Sequence, residues 1–184
     1  MMLRRSLPVL VLLVAPLASA CIGSGHSVNA YYGARSLDSD DFDDLDDQDV
    51  YGLDAVLKLD LPFLAVEGGW QRAESDDSSA GGLIDPELTI DEYFVGLRLV
   101  PWDILIAPYA SLGATYFDAD LDATGAGDSD ETVAFYARLG AALTFGIIRF
   151  GLDGRATFGS DVEFNGSDTE VDNYQVTAFV GVGF

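Results

Sequence analysis

Few residues in this chain are equipped for chemistry, and their spacing narrows what that chemistry could be. Among 184 residues there is one histidine, His26, and one cysteine, Cys21. A hydrolase or acyl transferase needs a base within hydrogen-bond reach of its nucleophile or acid. His26 lies in a short N-terminal stretch, far from the polar segments that carry the Ser and acidic residues, so a solvated tail residue and no enzyme are expected. One cysteine cannot form an intrachain disulfide. Asp118, Asp120 and Asp122 have the one-three-five spacing of a calcium loop. However, Ala123 follows them, no Glu stands at the twelfth place, and in 38–49 the fifth position is Phe42, so neither segment is an EF-hand. Hard carboxylate oxygens still collect divalent cations loosely, which makes Asp118, Asp120 and Asp122 weak divalent-cation candidates; a solvated, self-repelling surface is the plainer reading. No phosphate loop, zinc spacing or nucleotide-binding pattern occurs, and no cofactor is expected. A net charge of −22 excludes nucleic acid as a natural partner.

The other chemistry-bearing residues are charges set inside apolar runs. Strands are predicted over 28–37, 49–59, 63–73, 90–100, 104–117, 132–145, 148–159 and 174–184, each with the period-two alternation of a half-buried strand. In the sixth, Val133, Phe135, Ala137, Leu139, Ala141, Leu143 and Phe145 oppose Ala134, Tyr136, Arg138, Gly140, Ala142 and Thr144. The second, seventh and eighth divide in the same way, while in the fifth only polarity points Ser111 and Thr115 inward. The polar face collects Arg35, Lys58, Arg98, Arg138, Arg149 and Arg155, with the acids Asp54, Glu67, Glu92 and Asp153. It also collects Gly33, Gly52, Gly69, Gly96, Gly113, Gly140, Gly151 and Gly181, expected to leave room for long Arg side chains. If that face points into a narrow interior, the ten charges form an ion-pair network, since unpaired charge there is costly. A tight turn at Gly146-Ile147 puts Arg138 and Arg155 at one level, with Asp153, Glu67 and Glu92 as their candidate partners. Two uses of such an interior remain open: a plug, or a charged path for small solutes or ions.

The connections say where the apolar face belongs. Long acidic segments (38–48, 74–89, 118–131 and 160–173) alternate with short ones (Asp60-Leu61-Pro62, Pro101-Trp102-Asp103 and Gly146-Ile147). Long loops at one end and tight turns at the other are the arrangement of an outer-membrane barrel. A soluble barrel would put the apolar face inside and leave mid-strand Arg and Gly at the water surface. Tyr51, Trp70, Tyr93, Tyr116 and Tyr174 mark the loop end, and Phe63, Trp102, Phe145 and Phe184 the turn end, as two interfacial aromatic belts. The fold class expected is all-β, an eight-stranded antiparallel up-and-down transmembrane barrel.

Residues 1–20 have the form of a signal peptide: Arg4 and Arg5, an apolar stretch from Leu7 to Leu17, and the small residues Ala18-Ser19-Ala20. The apolar stretch is shorter than the roughly 20 residues of a spanning helix. The expected division is signal peptide 1–20, periplasmic tail 21–27 and barrel 28–184, with both mature termini periplasmic. Leu17-Ala18-Ser19-Ala20-Cys21 resembles a lipobox in which the Leu sits one place early. Two readings follow: lipidation at Cys21, or ordinary cleavage leaving a free thiol.

From about Val28 to Phe184 the chain resembles the OmpA/OmpX-type eight-stranded outer-membrane barrel domains. The terminal strand carries the resemblance best, ending in Phe184 with Val182 and Val180 at alternate positions before it. In that family such an ending is the signal read by the barrel-assembly machinery, and the same role is implied here. The expectation is a non-enzymatic protein of the bacterial outer membrane with a structural or surface-interaction role. The expected partners are outer-membrane lipids and lipopolysaccharide, the assembly machinery, and divalent cations at the acidic loops. The alternative is a narrow porin-like channel for small solutes or ions.

Overall fold

A sequence that alternates apolar and polar residues over many strands has two faces to satisfy, and closing the sheet gives each its own environment. The computed structural model describes residues 25–37, 47–75, 87–102, 105–123, 126–159, 161–164, 167–170 and 172–184. Strands β1 (Ser27–Leu37), β2 (Asp47–Lys58), β3 (Leu64–Glu74), β4 (Glu87–Leu99), β5 (Ile106–Ala123), β6 (Ala126–Phe145) and β7 (Ile148–Phe158) form an antiparallel meander. Two short strands follow, β8 (Asp161–Phe164) and β9 (Ser167–Glu170), paired only with each other, and then β10 (Asn173–Gly183). β10 lies between β7 and β1, and this last pairing closes an eight-stranded barrel.

The faces divide as the alternation requires. Leu53, Val95, Leu97, Leu112, Val133, Phe135, Leu139, Leu152, Val176 and Val180 are all exposed on the outer wall, whereas the polar partners along the same strands are buried. An outer wall of Leu, Val and Phe is stable only against lipid. From Val133 to Phe145 along β6, rising about 3.3 Å per residue, the strand runs about 40 Å. At a tilt of about 40° that is roughly 30 Å of height, one hydrocarbon thickness. The register sets Trp70 opposite Tyr93 and Tyr93 opposite Tyr116, so three loop-end aromatics form one row. Phe63, Trp102 and Phe145 stand exposed at the other end.

The short connections have local causes. Gly146 holds φ at +62° in the first central place of the β6–β7 turn, where a II′ hairpin favours Gly. Phe63 is the only non-glycine residue with positive φ among the described residues (68°), and its carbonyl accepts a hydrogen bond from the Val100 N–H at 2.8 Å. That bond to the neighbouring strand helps hold a backbone conformation L-residues disfavour.

Two expected loops are structured. The segment 118–131 continues the β5–β6 ladder, pairing Asp118 with Glu131, Asp120 with Ser129 and Asp122 with Gly127. Strands already zipped in a barrel go on pairing at little extra entropic cost. The segment 160–173 holds the β8–β9 hairpin, which touches β6. Residues 1–20, Cys21 and the segments 38–46 and 76–86 lie outside the described residues.

Candidate functional site

The barrel interior is filled with charge. Arg35, Asp54, Glu67, Glu92, Arg98, Arg138, Asp153 and Arg155 are each between 0 and 3 % exposed. Each sits on the polar parity of its strand, and closure turns all of them to the same axis.

They form two clusters. Toward the turn end, Arg138 bridges two carboxylates: its Nη1 donates to Asp54 Oδ2 at 2.9 Å and its Nη2 to Asp153 Oδ2 at 2.7 Å. Arg98 Nε donates to Glu67 Oε2 at 2.6 Å. The remaining carboxylate oxygens accept from neutral groups: Asp54 Oδ1 from Asn29, Glu67 Oε1 from the Tyr136 hydroxyl at 2.7 Å, and Asp153 Oδ1 from Thr177 at 2.9 Å, while Tyr109 shares Asp153 Oδ2 with Arg138 at 2.9 Å. Toward the loop end, Glu92 is shared by Arg35, by Arg155 at 3.2 Å and by the Gln71 amide at 2.8 Å. Gln175 links Gln71 to this cluster at 3.1 Å. The turn-end cluster holds three acids and two guanidiniums, the loop-end cluster one acid and two guanidiniums. Together four acids meet four cations. A neutral interior is what burial in low dielectric demands.

Aromatic rings pack against the guanidiniums. The Arg155 guanidinium lies 4.4 Å from the Tyr136 ring and 4.9 Å from Phe94; the Arg98 guanidinium lies 4.0 Å from Tyr109. Such contacts strengthen when desolvated. Four of the inward glycines, Gly69, Gly96, Gly113 and Gly140, lie against these rings. A Cβ on Gly113 would sit 2.6 Å from the Tyr136 ring, and one on Gly140 would sit 2.5 Å from Tyr109. The expectation that the glycines make room for Arg is therefore corrected: at none of the eight is an Arg atom among the nearest. Guanidiniums can thread between rings, but a flat ring crossing a narrow barrel needs bare backbone opposite it.

Other expectations need adjustment. Lys58 is not in the buried network. It is exposed at the turn-end mouth beside Gly25, where a long side chain can carry its charge out to water. Arg149 is also at that rim, only partly buried, with Nη1 donating to Ser27 Oγ at 2.9 Å. Arg138 and Arg155 do face each other across β6 and β7. Their side chains diverge, however, Arg155 to Glu92 and Arg138 to Asp153 and to Asp54, which was not among the partners named for the pair. His26 is no solvated tail: its Nδ1 accepts from the Lys58 N–H at 3.2 Å, and its backbone exchanges bonds of 3.0 and 2.9 Å with Phe184. The strand ladder thus runs one residue past each nominal end. Asp118, Asp120 and Asp122 take every second position along β5, about 7 Å apart along the backbone. Among the described residues no group of three His, Cys, Asp or Glu is placed to hold a metal. Strand parity put Tyr136, Gln175 and Thr177 on the polar face and could have added Asn29, Gln71 and Tyr109, but the partners of all six depend on the barrel's cross-section.

Closed, antiparallel and charged within, this is the fold of the small eight-stranded outer-membrane barrels, as the resemblance in the sequence implied. Neisserial surface protein A superimposes with a TM-score of 0.68 at 15% identity, over 88% of this chain and 98% of that one. The Yersinia pestis attachment invasion locus protein Ail, crystallised with the heparin analogue sucrose octasulfate, gives 0.59 at 15% identity, over 88% and 99%. A major outer membrane protein from Thermus thermophilus gives 0.50 at 12% identity, over 86% and 99%. No family model and no curated protein matches the chain.

Proposed function

We propose that this protein is a non-enzymatic outer-membrane barrel that presents an acidic, strand-built surface outside the cell and keeps its lumen closed. The observation that carries the reading is the burial of all eight interior charges, each with an ion-pair partner of opposite sign. A conduit for solutes would leave some of them wetted. The apolar outer wall between aromatic rows supports the membrane setting, and the fold shared with surface and outer-membrane proteins agrees with it. The acidic segments join strands at the end away from the chain termini, which supports an extracellular placement with both mature termini periplasmic.

The extended β5–β6 pair gives that surface a framework. Strands of 18 and 20 residues carry Asp118, Asp120, Asp122, Asp128, Asp130 and Glu131 beyond the Tyr116 level. Ail was crystallised with a polysulfated ligand. A chain of net charge −22 repels polyanions, so its partners are cationic: basic protein surfaces, or divalent ions bridging to lipopolysaccharide. Export through residues 1–20, recognition of Phe184, Val182 and Val180 by the assembly machinery, and lipidation at Cys21 belong to the same reading.

Conductance in planar bilayers tests the closed lumen. The refolded protein should give no steady unitary current in molar salt. Stable, ion-selective channels in every active bilayer would replace this reading with the porin-like alternative.

A further inference from the structure

The chain enters the barrel through the wall of a cavity. The cavity has a volume of about 240 Å³ and lies at the turn end, beside the β2–β3 and β4–β5 connections. Val56, Pro62, Phe63, Val100 and Trp102 supply apolar lining, and Gly25, two residues before β1, belongs to the same lining. Gly25 holds φ at +79°, a left-handed turn that favours glycine. Directly after it the backbone is fixed, because His26 exchanges hydrogen bonds with Phe184. The residues before Gly25 therefore start from the cavity's own wall. In sequence they are Cys21-Ile22-Gly23-Ser24, and Ile22 is the one large apolar residue between Cys21 and Val28. Gly23, Ser24 and Gly25 have the composition of a flexible leash.

We infer that this vestibule is the docking place of the mature chain's own N-terminus, with Ile22 seated against Val56, Phe63, Val100 and Trp102 as a strap across the turn-end mouth. Three residues span at most about 11 Å, so Ile22 reaches the cavity and little beyond it. The volume corresponds to about eight waters at roughly 30 Å³ each, room for one branched side chain and not for a folded segment. Outside the cavity, Ile22 and the apolar lining would both be wetted; seated, each covers the other. Tethering replaces intrinsic affinity, since a short flexible leash holds its end at an effective concentration in the millimolar range. A separate peptide of the same sequence lacks that advantage. The strap rests on the export reading above only for where the mature chain begins.

Disulfide trapping in the full chain, expressed in cells and purified from membranes, tests the strap. Cys21→Ser removes the single native cysteine. On that background Gly23→Cys, next to an intact Ile22, is combined with Pro62→Cys at the vestibule or with Ile147→Cys at the β6–β7 turn. Ile147 lies beside the β1–β10 seam, where its carbonyl accepts from the Gly183 N–H at 2.7 Å, and it does not line the cavity. Pro62 and Ile147 are both exposed, and heat-modifiable migration verifies that each variant is a folded barrel. Under mild oxidation the Pro62 pair should close about tenfold faster than the Ile147 pair, as a rise in effective concentration at one wall implies. Ile22→Ser should bring the two rates together. Equal rates with Ile22 intact, or a preference for Pro62 that survives Ile22→Ser, overturns the strap. Mass spectrometry of the same samples keeps the two readings apart. A chain that begins at residue 21 upholds the export reading whatever the trapping shows, and a chain that retains residues 1–20 overturns that reading and the strap together.

Discussion

Replacing Arg138 by Ala removes the one side chain that joins Asp54 to Asp153. Its Nη1 also lies 3.9 Å from Glu67. After the change Asp153 keeps hydrogen bonds from Tyr109 and Thr177, and Asp54 keeps one from Asn29, with Arg98 still 3.9 Å away. Three carboxylates would then share one guanidinium in a cluster closed to water. Removing one partner of a buried pair costs about 3–5 kcal/mol. The neutral donors left on Asp153 place this case near the middle, at about 4 kcal/mol. With a urea dependence of about 2 kcal/mol per molar, the unfolding midpoint should fall by roughly 2 M. The control is Arg72→Ala, which breaks a pair on the outer wall with Asp91 that is partly solvent-exposed. An exposed pair contributes at most about 1 kcal/mol, so its midpoint should fall by no more than about 0.5 M. Adding Asp54→Asn to Arg138→Ala should recover part of the loss, because one stranded charge disappears. The assay is reversible urea unfolding in lipid vesicles, followed by tryptophan emission and by the heat-modified gel shift, with bilayer conductance on the same samples. Equal midpoints for the Arg138 and Arg72 variants, together with steady conductance in the unmodified barrel, would refute the closed ion-pair lumen.

Other expectations follow from the packing, the register and the seam. Gly113→Val should abolish refolding, since its Cβ would meet the Tyr136 ring at 2.6 Å, while Gly154→Ala, whose Cβ approaches nothing nearer than 3.8 Å, should refold normally; gel-shift yields compare the two. A cysteine placed at Ser129, in a Cys21→Ser background, should react with an impermeant maleimide on intact cells, and labelling only after permeabilisation would invert the topology. Deleting Phe184 removes the backbone pair with His26 that ends the β1–β10 seam, so less heat-modifiable barrel and more periplasmic protein are expected in fractionated cells. Normal membrane amounts of the deleted protein would contradict that role.

Much of the fold was legible because strand parity is a local property. Val133 to Phe145 and Tyr174 to Phe184 divide between apolar and polar faces whatever lies beside them, and the alternation of long and short connections orders the strands. The aromatic rows and the membership of Arg35, Glu92, Arg98 and Arg138 in the interior follow from the same parity. Lys58 and Arg149 show where parity stops, for it states which side a residue faces and not how far it lies from the barrel end. At the rim, water is near enough to receive the charge. Partner choice also escaped the sequence. Arg138 reaches Asp54 across the interior because closure sets β2 opposite β6, a distance no pairwise spacing encodes. The glycines were assigned the wrong guests for a related reason, since a ring and a guanidinium both need space and only the cross-section decides which one lies over bare backbone. The β5–β6 extension was hidden in an acidic segment whose composition resembles a loop, because backbone pairing there is imposed by a neighbour already held in the barrel. The chain's own residues thus determined strand, face and order. Closure of the sheet determined which charges meet, which are wetted, and where a cavity remains.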